Sequence, residues 1–147
     1  MVTAHRQGAA GDVSEDVSLV DMLAETAFKV MGILTRLAAE NELSLTQLRV
    51  LAILRDRRLR MSDLVAHLGL EKSSLTGLVA RAEKRGLLHR APNADDGRAV
   101  DVFLSEAGLA LAERLTARFQ RDMEPLTGAL SPAGQDRLTT LLARLIT

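Results

Sequence analysis

No cysteine, tryptophan or tyrosine occurs among the 147 residues, and the aromatics amount to three phenylalanines. Without cysteine there is no disulfide, no thiolate zinc site and no thiol redox switch. With so few aromatics the core has to come from Leu, Val, Ile, Ala and Met, and Leu and Ala at this density favour helices. No apolar run is long enough to span a bilayer, and the N-terminus lacks the apolar stretch of a secretory signal. A cytoplasmic protein without membrane partners is expected. His5, His67 and His89 are scattered over an arm, a helix and a strand, with no metal-ligand spacing. No metal and no cofactor is expected. No Ser/His/Asp or Cys/His arrangement and no glycine-rich phosphate loop is visible, which argues against an enzyme.

An excess of either charge is missing too, with 19 Lys and Arg against 19 Asp and Glu. Neutrality argues against indiscriminate polyanion binding. The distribution is uneven, however. Residues 1–45 contain three basic and seven acidic side chains, and residues 55–98 contain ten and six, so the two segments carry about −4 and about +4. Such a layout presents one segment to phosphate and keeps another away from it.

Residues 1–16 are polar and aperiodic, the composition of a disordered arm. From Val17 the apolar positions Leu19, Leu23, Val30, Leu34 and Leu37 follow helical spacing, and Met22, Met31 and Ile33 widen the face. A face that broad needs more than one neighbour, which a second subunit supplies. Ser44 with Gln47 forms a capping box for the next helix. Residues 55–60 read as a basic turn. A helix over residues 62–68 ends at Gly69, and another over residues 74–85 ends at Gly86, since glycine accepts the left-handed backbone of a helix stop. Two short helices joined by a tight turn make a helix-turn-helix. Residues 87–90 and 99–104 then read as two strands around a turn cluster at residues 92–97, a two-stranded β-wing. Ser105 caps a long helix interrupted by Pro125 and Gly128, and Ser131-Pro132 opens the last one.

A helix that can enter one groove of a duplex, followed by a basic-tipped hairpin that can enter the next, points to a reader of double-stranded DNA. Lys72, Ser73, Ser74 and Thr76 open the second helix. Ser73 or Ser74 serves as its cap, and the others face base edges, where hydroxyls tolerate more than one base. Arg81 suits phosphate contact, which sets register without reading sequence; Lys84 and Arg85 lie on the same basic face. Arg98 either pairs with Asp95 or Asp96 or reaches into a narrow minor groove. Asp96 holds the tip turn and orients Arg98. Arg90 is a further phosphate candidate. Arg55, Arg57, Arg58 and Arg60 read as a solvated basic turn with one backbone contact among them. A helical interaction protein that uses the same fold without DNA is the alternative, favoured by Gly77 and by neutral net charge.

The pattern Asp96-x-Arg98-x-x-x-Val102-x-Leu104-Ser105 resembles the wing signature of the MarR (multiple antibiotic resistance regulator) family. Leu43-Ser44-x-x-Gln47-x-x-Val50-Leu51 is similar to that family's second helix, and Lys84-Arg85-Gly86-Leu87 with Arg90 to its exit from the recognition helix. Ser105 stands where Thr is usual, and Gly77 where relatives often carry Arg or another long polar residue. The resemblance implies a mainly α winged helix-turn-helix protein spanning residues 17–147 as a single domain. Residues 44–104 would form the winged helix-turn-helix, and residues 17–42 and 105–147 the helical dimerisation region. It implies an obligate homodimer on a palindromic site, acting as a repressor relieved by a small aromatic or phenolic effector. The family's effector cavity lies where dimer helices meet the DNA lobe. That position makes Phe28, Met31, Leu48, Leu51, Leu115 and Phe119, otherwise ordinary core, its candidate lining, with Arg49 as an anchor for an anionic ligand.

Overall fold

The structure, a computed structural model, describes residues 17–147; the expected arm over residues 1–16 lies outside the described residues. Six helices and three short strands follow in the order α1 (Leu19–Glu40), α2 (Leu45–Leu54), β1 (Leu59–Arg60), α3 (Met61–Leu68), α4 (Lys72–Lys84), β2 (Leu88–Pro92), β3 (Val100–Leu104), α5 (Glu106–Thr127) and α6 (Pro132–Ile146). Serines start four of the helices. Ser18 accepts from the N–H of Val20, Ser44 and Gln47 close the full capping box, Ser105 accepts from Gly108 and Ser131 from Gly134. Each supplies an acceptor to a donor that the helix itself leaves unpaired.

The core sits where α3 and α4 meet the sheet. Leu64, Leu75, Val79, Leu88 and Val102 are its fully buried side chains, and α2 and α5 close it through Val50, Leu51, Leu111 and Leu115. The outer helices are different. α6 buries none of its residues, and α1 leaves Leu19, Val20, Met22 and Phe28 in solvent while Leu141, Leu145 and Ile146 stand exposed on α6. Apolar surface on that scale marks an interface.

Four expectations need correction. The sheet has three antiparallel strands in the order β1-β3-β2, with Leu59 opposite Val102 and Arg60 opposite Asp101. Residues 59–60 are too few to show a period, and their strand exists only through pairing with distant residues. α4 begins at Lys72 with Glu71 in the cap position and no side-chain cap bond, so neither Ser73 nor Ser74 caps it. β2 runs on through Pro92, which is tolerated as the last residue of an edge strand because no ladder donor is needed there. Pro125 lies inside the final turn of α5 and does not break it; Gly128 closes the helix through a bond to the Glu124 carbonyl at 2.7 Å.

The start of α5 is pressed against the exit of α4. Ser105 Oγ donates to the Gly86 carbonyl at 2.5 Å, and the Ser105 N–H donates to the Leu87 carbonyl at 3.0 Å. A Cβ on Gly108 would lie 2.0 Å from the Leu87 oxygen, so only glycine fits. Gly108→Ala is expected to lower stability by about 3 kcal/mol, the cost of overpacking against backbone that cannot move aside. Chemical denaturation measures this; a loss below about 1 kcal/mol would show that the contact is not this tight.

Candidate nucleic-acid interface

α4 buries one stripe, Leu75, Leu78, Val79 and Ala82, against the core. That leaves Lys72, Ser73, Ser74, Thr76, Arg81 and Lys84 on the outer face. Thr76 Oγ1 donates back to the Lys72 carbonyl at 2.8 Å, so in this arrangement it offers a base only acceptor capacity. No side chain caps the first-turn N–H groups, so they keep their partial positive charge at the helix start. Arg81 follows the usual lean of helical side chains toward the N-terminus. Its guanidinium lies over Gly77, with Nη1 3.3 Å from where a Cβ would be. The gap left by glycine at 77 is therefore occupied by a cation from the next turn.

The wing tip is built around Asn93. Its Oδ1 accepts from the N–H groups of Asp95 and Asp96, each at 3.0 Å, and from Arg60 at 3.4 Å. Its Nδ2 donates to Asp101 at 2.9 Å. Asp96 Oδ1 accepts from the Arg98 N–H at 3.0 Å, and the Asp96 carbonyl accepts from Ala99. Asp96 thus fixes the backbone at Arg98, while the Arg98 side chain joins no ion pair among the described residues. Asp101 alternates with the apolar residues of its strand, a pattern that would turn it outward; it is buried because Arg58 pairs with it at 3.0 Å and Asn93 donates to it. The Asn93 amide holds the Asp101 carboxyl below the usual carboxylate range; burial pushes it the other way, and Arg58 and Arg60 pull it down again. Arg58 also stacks over Phe103, 4.0 Å from the ring centre. Two of the four residues assigned to a solvated basic turn, Arg58 and Arg60, are thus parts of the wing. The Asn-x-Asp-Asp-Gly run carried a turn signal, but nothing in the sequence paired Asn93 with Asp101.

Between the start of α4 and the wing runs a groove of about 240 Å³, lined by Arg60, Met61, Ser62, Lys72, Thr76, Arg90, Arg98, Ala99 and Val100. It gathers Lys72, Thr76, Arg90 and Arg98 from the sequence-derived set and adds Arg60. Ser73, Ser74, Arg81 and Asp96 lie outside it. Of its four cations, Arg90 alone is in an ion pair among the described residues: its Nε and Nη2 meet Glu83 at 3.0 and 3.3 Å. The Arg90 guanidinium keeps the Glu83 carboxyl below its usual range.

The sequence model of the MarR family matches residues 42–99, the helix-turn-helix and most of the wing. The regulator PecS of Dickeya dadantii is 28% identical over 135 residues, covering 89% of this chain and 80% of PecS. The repressor IacR of Pseudomonas putida is 33% identical over 99 residues, 64% of this chain and 59% of IacR. Among solved structures, MarR from E. coli superposes with a TM-score of 0.75 at 24% identity, over 90% of this chain and 99% of that one. A cysteine-to-serine mutant of that MarR, solved with operator DNA, gives 0.71 at 23% identity, covering 89% and 95%. NadR in complex with 4-hydroxyphenylacetate gives 0.74 at 23% identity, covering 99% and 97%. The chain belongs to the MarR family. Its curated relatives are transcriptional regulators.

In this MarR-family chain a cavity of about 270 Å³ opens between α1, α2 and α5. Four of the candidate lining residues, Leu48, Leu51, Leu115 and Phe119, border it together with Leu34, Leu37, Ala52, Ala112, Arg55 and Thr116. Phe28 and Met31 do not; they are 76% and 42% exposed on the outer face of α1. Arg49 points elsewhere and donates to the His67 carbonyl at 3.2 Å. The cation at the cavity is Arg55, whose Nη1 donates to Thr116 Oγ1 at 3.1 Å. Helical spacing marked the apolar wall, but no sequence signal joined Arg55 to a residue 61 positions later.

Gly77→Ala separates two properties that usually fall together. It is expected to raise stability by up to about 1 kcal/mol through helix propensity, since its close neighbour is a mobile guanidinium tip. It is expected to weaken DNA binding by displacing Arg81. Thermal unfolding and a DNA titration of the same variant check both signs; unchanged DNA affinity would mean that Arg81 takes no part.

Proposed function

We propose that the protein is a homodimeric, sequence-specific DNA-binding repressor of the cytoplasm, released by a small aromatic carboxylate. The observation that carries the reading is the cationic groove between the start of α4 and the wing tip, with four basic side chains converging on it. In this reading residues 44–104 form the reading head, and residues 17–42 and 105–147 hold the dimer. Lys72, Ser73, Ser74 and Thr76 face the major groove, while Arg81 and Arg90 contact phosphate. Arg98 enters the adjacent minor groove from a tip that Asp96 holds. The operator-bound MarR structure and the regulator relatives support DNA as the partner. The bare apolar faces of α1 and α6 support a second copy of the chain.

The cavity supports the effector class. A dry cavity of roughly 150 Å³ holds benzene, so the space between α1, α2 and α5 takes one substituted ring. Its single cation, Arg55 beside the Thr116 hydroxyl, suits a carboxylate. The structural neighbour NadR, solved with 4-hydroxyphenylacetate, supports the same chemistry.

Fragments of the source genome selected on the protein would identify its operator, and Arg98→Ala then tests the interface. Affinity is expected to fall about tenfold or more and the salt dependence to flatten by about one unit per wing. Unchanged affinity and slope would remove the wing from the site. With the operator in hand, benzoate and 4-hydroxyphenylacetate are expected to weaken binding by the wild type, and Arg55→Gln to blunt that response at least about fivefold. An equal response in Arg55→Gln would place the effector elsewhere.

A further inference from the structure

The C-terminal ends of α1 and α4 meet at one side chain. Beyond the α1 cap residue Asn41, Glu42 takes φ 55°, the only positive φ at a non-glycine among the described residues. The Leu43 N–H then bonds back to the Ala38 carbonyl at 2.9 Å. α4 ends in the same way, with Gly86 at φ 74° and the Leu87 N–H on the Ala82 carbonyl at 3.0 Å. Arg85, the cap residue of α4, spans the two ends. Its Nη1 donates to the Glu42 carbonyl at 2.7 Å and its Nη2 to the Asn41 carbonyl at 3.3 Å. These carbonyls lie just past the C-terminus of a 22-residue helix, a place where a cation is favoured. A left-handed non-glycine residue persists only where its surroundings over-determine it. Here the Asn41 amide on the Leu37 carbonyl and the Arg85 fork do so together.

The two helices joined in this way carry different parts of the molecule. α1 presents the bare apolar face and lines the cavity with Leu34 and Leu37. α4 carries the side chains that the proposed reading aims at bases. α1 packs chiefly on α2 and α5, and Arg85 supplies the hydrogen bonds that run from α4 to the α1 end among the described residues. On sequence alone Arg85 belonged to a basic face on which only Arg81 was assigned to phosphate; in the structure both ends of its guanidinium fork are spent on carbonyls.

We propose that Arg85 is a positioning residue that fixes α4 against α1 and thereby sets the separation of the two reading helices in the dimer. The inference rests on the dimeric DNA-reader reading above. If it holds, Arg85 controls which half-site spacing the protein prefers and contributes nothing to phosphate contact. A fork to two successive carbonyls has no equivalent in Lys, which offers a point charge, or in Gln, which offers one short amide.

The test uses the full-length protein and synthetic duplexes carrying the selected operator, at its native spacing and with one base pair added or removed between half-sites. Binding is measured at two salt concentrations, with melting temperature as the folding control. Wild type should prefer the native spacing. Arg85→Gln should lose about tenfold at native spacing and less at the altered ones, so its spacing preference shrinks while its salt slope stays that of wild type. Should Arg85→Gln not fold, Arg85→Lys carries the same comparison. A variant that keeps the wild-type spacing preference overturns the proposal. So does a uniform loss at every spacing with a shallower salt slope, which would make Arg85 a phosphate contact. A wild-type protein indifferent to spacing would overturn the dimeric-reader reading itself, a result distinct from either.

Discussion

The reading helix, the wing and the long α5 helix are held in one arrangement by a single crowded junction. Ser105 ends the wing and starts α5. Its hydroxyl donates to Gly86, at the exit of α4, and accepts from Gly108, in the first turn of α5. The Leu87 carbonyl receives the Ser105 N–H and lies where any side chain at 108 would be. The Gly108 N–H in the first turn of α5 is buried and would otherwise lack a partner, so the junction is stabilised by satisfying it. Three elements thus meet at a few shared backbone atoms. The distance from the start of α4 to the wing tip, which frames the cationic groove, follows from that arrangement.

Carboxylates organise the cations of this surface more than they cancel them. Asp101 draws Arg58 across the sheet and, through Asn93, anchors the tip. Asp96 takes the Arg98 N–H and leaves the guanidinium to solvent. Glu83 is the exception, because it occupies Arg90 directly. A chain with no net charge therefore presents a local cationic groove. The long-range field of such a molecule is weak, while its contact surface remains attractive to phosphate over about a Debye length.

Most of the architecture was legible in the sequence because helices announce themselves locally. Ser44 with Gln47, Ser105 and Ser131-Pro132 mark starts, Gly69 and Gly86 mark stops, and the leucine spacing between them supplies the faces. What escaped was whatever depends on partners far along the chain. β1 is two residues long and exists through Val102 and Asp101. Asn93 read as one turn residue among several, although it ties the tip to Asp101 and Arg60. Arg55 read as part of a basic run, and only folding brings it to Thr116 at the cavity. Ser73 and Ser74 looked like caps because serine usually is one at a helix start, yet the helix already begins at Lys72. The candidate reading face was legible from its residue types; the ties that hold it were not.

Those ties converge. The cavity walls are α1, α2 and α5. α1 is joined to the end of α4 by Arg85, and α5 is joined to the same end by the Ser105–Gly86 bond. Under the proposed reading, a ligand that altered the gap between α1 and α5 would act across the C-terminal end of α4 and turn the helix about that end. α4 has 13 residues, so it is roughly 20 Å long, and packed helices lie about 9 Å apart. A displacement of about 1 Å across that gap would be magnified to about 2 Å at the reading turn by the ratio of those lengths. Two subunits doing the same would change the separation of their reading turns by about 4 Å, against about 3.4 Å for one base-pair step. By that ratio, a cavity change smaller than a bond length would be enough to move the proposed dimer off its spacing. The ligand shifts that balance only by its differential affinity for the two separations.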